Sequence, residues 1–520
     1  MDRSVRSPAV VAAILAVAAL AVALHVLELA SLRRVSHDDT ISFLAATGHQ
    51  GEFQHIVDEE LEPVAQWVPA SRWQALTRIE QPLPLLTIAR DLGHHDIHPP
   101  VYFWLLHVWS LLVGVHLWTG PLLNVALHVA TAVVLWRLAR RVLHSPLAAW
   151  AVTGVWATLP AVVETVGSSR QYSLSALLSV LVAAAFLRAR EEPTVGRLAV
   201  VAAWTALGML TLYSFGLVVA GLGMVSAADL LRADRRRAAL RSLGAFAVGG
   251  VVFLAGQPWL REVLARQRDQ AEVFTVPRML LRVRLLREGM PSFAVADLPV
   301  TAGLVLLAAT AALAVLAWRA RPQARPLVLL AVWLPTALAL AFLAAVSPGA
   351  AWQARYFSIA LPFVAFLPAA AWPALRIRVA GLRPVPAIGV AVFVAAAVVN
   401  LSAFATAANA PPAETLDGPD PAVLDNMARG VLLRILWDAP PDLPVYAADQ
   451  ETLLATTDRW LRCTPDLPCH ARPVTLATQV QYEATAAGQQ ALLSAAREVR
   501  QVSPAPAIDA ISERYRLSAP

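Results

Sequence analysis

AVVAAILAVAALAVALHVLELASL, residues 9–32, is one apolar run with His25 and Glu28 as its ionisable residues. As a helix it reaches across a hydrocarbon core of about 30 Å. Arg3 and Arg6 precede it. The run exceeds the usual apolar core of a signal peptide, and no clear small-x-small cleavage site follows, so it reads as a retained anchor with a cytoplasmic N-terminus. Arg33 and Arg34 at its far end pull against that orientation, which therefore rests on the later loops.

Similar runs recur down the chain of 520 residues, which is 58% hydrophobic and only 15% charged, with mean hydropathy +0.57. A soluble domain carries about 25% charged residues, so the fold class expected is a polytopic α-helical membrane protein. Lysine is absent, so any anion site must use arginine, histidine or backbone N–H groups. Arginine suits phosphate because its planar fork donates two parallel hydrogen bonds and stays charged. The net charge of +6 comes from arginines clustered in short loops. It reads as topology and not as nucleic-acid binding.

Arginine parity orders the spans. Helix 1 (9–31) leads to a first outer loop over 32–118, with interfacial helices. Residues 101–118 read as an in-plane or re-entrant helix, because otherwise Arg137, Arg140 and Arg141 would lie outside. The following spans are expected at 119–142, 147–163, 173–188, 198–213, 215–231, 243–258, 299–318, 326–346, 357–375 and 385–405, about eleven in all. A second large outer loop covers 259–298. There Arg278, Arg282, Arg284 and Arg287 interleave with Leu280, Leu281, Leu285 and Leu286, which suits an amphipathic interfacial helix or a solvated basic face.

The composition divides the chain into a membrane domain, 1–407, and a soluble extracytoplasmic domain, 408–520, where prolines punctuate the sequence. The second is expected as a small α+β domain, with strands near Pro444–Ala448 and Pro473–Thr478 and a helix over Ala484–Val499 that Gly488 weakens. Both cysteines, Cys463 and Cys469, fall here and are a disulfide candidate in an oxidising compartment.

Polar residues collect on the outer side of this topology. Asp38 and Asp39 follow helix 1, and Asp96, His98 and Tyr102 precede the next apolar stretch. Arg170 and Tyr172, Tyr213, and Arg355 and Tyr356 sit at later outer turns. Each alone has an ordinary reading: solvated charge, an interfacial anchor, or a Pro-Pro entry turn. Together, carboxylate, histidine and two arginines on one face of so apolar a chain point to chemistry on a lipid-borne anion.

The motifs Asp38-Asp39, His98-Pro99-Pro100-Val101-Tyr102, Arg170-Gln171-Tyr172 and Arg355-Tyr356 resemble those of polyprenyl-phosphate-sugar glycosyltransferases of the GT-C fold. The nearest group is the bacterial family-39-like enzymes and protein O-mannosyltransferases, with the aminoarabinose lipid A transferases further off. The chain departs from that family at Asp39, where Glu is commoner, and His98 replaces the Lys of the aminoarabinose subgroup. The resemblance implies a polyprenyl-monophosphate sugar donor, an acceptor hydroxyl on a glycan, lipid or protein, and inversion at the anomeric carbon. It implies Asp38 as general base, with Asp39 orienting it or binding acceptor. Asp96, His98, Tyr102, Arg170, Tyr172, Tyr213, Arg355 and Tyr356 would bind substrate. It also implies a bacterial inner-membrane enzyme. A divalent metal at Asp38, Asp39 and Asp96 stays open, and no cofactor is required by the pattern. The rival reading is a transporter or lipid flippase, which would bury ionisable groups mid-helix.

Overall fold

A computed structural model gives the fold. It describes residues 8–58, 61–269, 275–289, 300–344, 353–374, 416, 418–425, 427, 429–462, 466–470, 472–479, 483–509 and 512–518. The chain divides into two compact units. Unit 1 comprises Met1–Arg33, Asp96–Leu105 and Trp118–Asn409, and unit 2 comprises Arg34–His95, Leu106–Leu117 and Ala410–Pro520.

In chain order the helices begin with α1 (Pro8–Ser31), α2 (His37–Thr47), α3 (Gln50–Val57), α4 (Ala70–Gln74), α5 (Leu85–His95) and α6 (Val101–Val113). Then come α7 (Thr119–Leu143), α8 (Pro146–Thr158), α9 (Pro160–Glu164), α10 (Tyr172–Glu191), α11 (Val195–Met209), α12 (Gly216–Leu230) and α13 (Arg236–Gly256). Next are α14 (Leu260–Asp269), α15 (Val276–Gly289), α16 (Val300–Ala320), α17 (Arg325–Ala344), α18 (Leu361–Val364) and α19 (Leu367–Ala371). The C-terminal region adds α20 (Arg429–Leu436), α21 (Gln450–Ala455), α22 (Thr457–Trp460) and α23 (Glu483–Val499).

Unit 1 is a helical bundle. Among the described residues six helices are long and apolar enough to cross a membrane, or seven if the bent pair α8 and α9 is one span. Six of the eleven expected spans are met by these helices and the bent pair would be a seventh; the other four, at 198–213, 299–318, 357–375 and 385–405, are not among them. The span expected at 147–163 bends by 61° where Pro160 interrupts the backbone ladder. The span expected at 357–375 is two short turns, α18 and α19, each with a proline in its first positions. Helices α11 and α6 are apolar but short, and 385–405 lies outside the described residues. Within 259–298, α15 leaves Leu280 and Leu281 more than half exposed.

Unit 2 is a three-layer sandwich about a six-stranded sheet of order β1-β3-β2-β4-β6-β5. The strands are β1 (Trp67–Pro69), β2 (Ala422–Leu424), β3 (Pro444–Ala447), β4 (Val474–Gln479), β5 (Gln501–Asp509) and β6 (Ser512–Ser518). β2 runs parallel to β3 and β4, and the remaining pairs are antiparallel. Side chains alternate along each strand. Ala422, Leu424, Val445 and Ala447 join one core with Leu44, Phe53, Trp73 and the α20 residues Val431, Leu432 and Leu436. Val423, Tyr446, Leu476 and Leu517 join the other with Leu453 of α21 and Leu492 of α23. The sequence reading separates 408–520 from the first outer loop, whereas the sheet joins them. β1 comes from that stretch and pairs with β3, and the sheet face toward α20 is completed by Leu44, Phe53 and Trp73 of the same stretch. Gly488 lies where a Cβ would collide with Gln450, so α21 and α23 approach closely at the position that weakens helix propensity. Cys469 is buried and disulfide-bonded, and Cys463 lies outside the described residues.

Candidate active site

Asp38 and Asp39 open α2, which the sequence punctuates with a capping box. The hydroxyl oxygen of Ser36 accepts the Asp39 N–H at 3.2 Å. The Asp39 carboxylate accepts the Ser36 N–H at 3.0 Å and the Ser36 hydroxyl at 2.7 Å. Asp39 is buried and Asp38 half-buried. Successive helical side chains diverge by about 100°, so the two carboxylates have different surroundings: Asp39 holds the helix start, while Asp38 keeps access to solvent.

The seat of α2 is also in unit 2. The Thr40 hydroxyl donates to the Gly430 carbonyl at 3.1 Å. The Gly430 Cα packs so closely on His37 that an added Cβ would lie 2.5 Å from the imidazole ring. Phe43 meets Trp437 at 5.5 Å between ring centroids. At the other end of α2, Thr47 donates to the Leu76 carbonyl at 2.9 Å.

Unit 1 holds the remaining residues in two groups. In the first, Asp96 Oδ1 lies 2.5 Å from His98 Nδ1 and accepts the Ile97 N–H at 2.6 Å. An ionised carboxylate only accepts, so Nδ1 carries the shared proton and Nε2 is the second ring nitrogen of His98. Arg266 of α14 donates to the Asp96 carbonyl at 2.8 Å. Tyr213 accepts from Gln257 Nε2 at 3.0 Å and lies within Coulombic range of Asp96 and Arg266. Tyr102 is fully buried, edge-on to Phe103.

In the second group the Arg355 guanidinium lies over the Tyr172 ring, 5.6 Å from its centroid. The Tyr172 and Tyr356 rings are 5.9 Å apart. Arg170, two residues before Tyr172, is 7% exposed. The turn that carries it is held from α7: Asn124 Nδ2 donates to the Thr165 carbonyl at 3.0 Å and also to the Ser168 carbonyl. Thus Tyr172, two residues after the buried Arg170, meets Arg355 and Tyr356, far from it in sequence. Gln257 and Arg266 are new members that sequence reasoning missed. Among the described residues no three His, Cys, Asp or Glu side chains converge as a metal-binding set.

Residues 97–260 match the family described as dolichyl-phosphate-mannose-protein mannosyltransferase. That segment contains His98, Tyr102, Arg170, Tyr172 and Tyr213. ArnT from Cupriavidus metallidurans, solved with undecaprenyl phosphate bound, is similar over 97% of both chains at TM-score 0.51 and 16% identity. The oligosaccharyltransferase of Archaeoglobus fulgidus in its apo form aligns over 95% of this chain and 73% of that chain, at TM-score 0.46 and 11% identity. No curated protein sequence matches the chain. The likeness to ArnT shows a common fold over the chain, and the family match on residues 97–260 falls within it.

Proposed function

We propose that the protein transfers a sugar from a polyprenyl-monophosphate donor to an acceptor hydroxyl, with inversion at the anomeric carbon. The observation that carries this reading is the meeting of Arg355 with Tyr172 and Tyr356 beside the buried Arg170. Two guanidinium groups and two phenol rings suit a phosphate monoester joined to an apolar chain. The leaving phosphate is already a weak base. It needs its growing charge stabilised more than it needs a proton, and preorganised cations supply that at low reorganisation cost. His98, oriented by Asp96, is a further donor for the phosphate or the sugar. Asp38 accepts the acceptor's proton as its oxygen attacks the anomeric carbon, and the C–O bond to phosphate breaks with its electron pair leaving on the phosphate.

The ArnT structure is bound to undecaprenyl phosphate, which supports a lipid-linked donor for a chain of the same fold. The arginine distribution supports a cytoplasmic N-terminus and an outer location for residues 408–520, and the family resemblance supports the inner membrane of a bacterium. It also supports the eleven-span layout, with 101–118 outside the span count. The acceptor is a glycan, lipid or protein hydroxyl, and the mechanism routes no step through a metal.

The test is transfer of labelled sugar from a panel of polyprenyl-monophosphate sugars, in membranes carrying wild type or Asp38→Asn. Asp38→Asn is expected to lower turnover by about a hundredfold or more at unchanged expression. Equal activity of the two chains would refute the assignment of the base, and no transfer from any donor would refute the donor class.

A further inference from the structure

A cavity of unit 1 lies at the opposite end of its helices from Tyr172. It encloses about 1120 Å³ where α7, α10, α12, α13, α16 and α17 end. Tyr172 begins α10, and Arg190, near its last residue, lines the cavity. Eighteen residues of helix separate them, roughly 27 Å, close to the thickness of a bilayer core.

Six arginines line this groove against three acids. Each acid already has an arginine. Arg190 grips Asp229 with two parallel contacts, from Nε at 2.5 Å and from Nη2 at 2.8 Å. Arg141 pairs with Glu191, and Arg235 lies 3.8 Å from Asp234. Six arginines against three acids leave a surplus of three positive charges among the described lining residues, with Arg232 also acting on Asp229 through space. Arg325 is held in place by stacking over Trp318, 5.4 Å from the ring centroid, and by donating from Nε to the Trp318 carbonyl at 3.1 Å.

Arginines at this end of a bundle are expected from topology alone. What sets this place apart is that the cations border a concave surface to which Leu187, Met224, Val225, Trp318 and Leu329 also contribute, beside His144 and Gln323. A small soluble anion would use only the rim. A phosphodiester with a glycerol and acyl chains uses rim and floor together. Basic pockets between helix ends at the arginine-rich face of a membrane suit anionic headgroups, and a planar guanidinium matches phosphate oxygens in pairs. We propose that this groove is a binding site for an anionic phospholipid, held by its headgroup phosphate on Arg232, Arg237 and Arg325. The lipid would bridge the ends of α12 and α13 to those of α16 and α17, and so fasten the bundle at the end away from the transfer site.

Wild type and the triple variant Arg232→Gln, Arg237→Gln, Arg325→Gln are purified in zwitterionic detergent, and retained phospholipid is counted by native mass spectrometry. Thermal unfolding is then followed in phosphatidylcholine bilayers with and without phosphatidylglycerol, and with inorganic phosphate instead. The expected result is phosphatidylglycerol retained by wild type and lost from the triple variant. A rise in the wild-type Tm with phosphatidylglycerol but not with inorganic phosphate is expected as well. The matching triple Arg→Lys variant is expected to keep the lipid. Equal retention by the glutamine variant, or no wild-type response to phosphatidylglycerol, would overturn the site. A full response to inorganic phosphate would replace the lipid with a free anion. The wild-type comparison stands even if the glutamine variant fails to fold.

Discussion

Ser36 and Asp39 close the N-terminus of the helix that presents Asp38, so neighbouring carboxylates have separable roles. Ser36→Ala is expected to cost about 1 kcal/mol of unit 2 stability through the lost cap, whereas Asp38→Asn leaves stability unchanged and removes activity. Denaturant unfolding beside turnover measurement separates the two. Arg355 allows a second comparison. Arg355→Lys keeps the charge but loses the planar face over Tyr172, and it is expected to raise the donor KM about tenfold. Arg355→Ala loses the charge too, and kcat is expected to fall on the order of a hundredfold. Steady-state kinetics on a polyprenyl-phosphate sugar checks both. Tyr172, Arg355 and Tyr356 stand out in the sequence as unusual polar residues at helix ends of the same parity, and the structure brings their side chains together. Gln257 and Arg266 do not stand out. Arg266 is one of several arginines in the second outer loop, and nothing local distinguishes the one that reaches the Asp96 carbonyl.

Helix α2 shows how an element can be legible while its support is not. Its acidic start follows an apolar run and is plain in the sequence, but its seat is α20, reached across 390 residues by the Thr40 to Gly430 hydrogen bond. No periodicity announces such a contact. Gly430→Ala places a Cβ against the His37 ring, which must turn or push α2 aside. The expected result is a several-fold fall in kcat with the donor KM nearly unchanged and the fold retained, and Gly430→Val is expected to act more strongly. Kinetics together with thermal unfolding distinguish this displacement from simple destabilisation, which would lower the amount of active protein at constant kcat per folded chain. Strands β3 and β4 and helix α23 were foreseen nearly to the residue, because their apolar runs and amphipathic period are strong. β2 is only three residues long. β5 contains Pro504 and Pro506, which argue against a strand unless it lies at an edge, and β5 is the edge strand of the sheet. The breaks in the bundle fall at Pro160, Pro362 and Pro368, while Pro335 sits inside the unbroken α17.

At the scale of the whole molecule, unit 2 draws on three separated stretches of chain, so residues 410–520 are not an appendage that can be removed cleanly. Leu44, Phe53, Ile56, Ala70, Trp73 and Leu76 from the first outer loop share one core with α20 and with strands β2 and β3. Each fully buried side chain of this kind contributes about 1.5–3 kcal/mol at most relative to exposure. The sum over that set is comparable with the whole stability of a domain, about 5–15 kcal/mol. Truncation at Asn409 therefore strips the floor beneath α2 as well as the C-terminal sheet. If residues 410–520 only docked a large acceptor, the truncated chain would still glycosylate a small free acceptor at the wild-type rate. If they seat the helix that carries Asp38, transfer is lost to every acceptor, and residues 34–95 become sensitive to limited proteolysis while the bundle stays inserted. We expect the second outcome. Transfer to a small soluble acceptor by the truncated chain, read beside its proteolysis pattern in membranes, decides between them, because retained transfer with a protease-resistant first loop would mean that α2 stands without its C-terminal support.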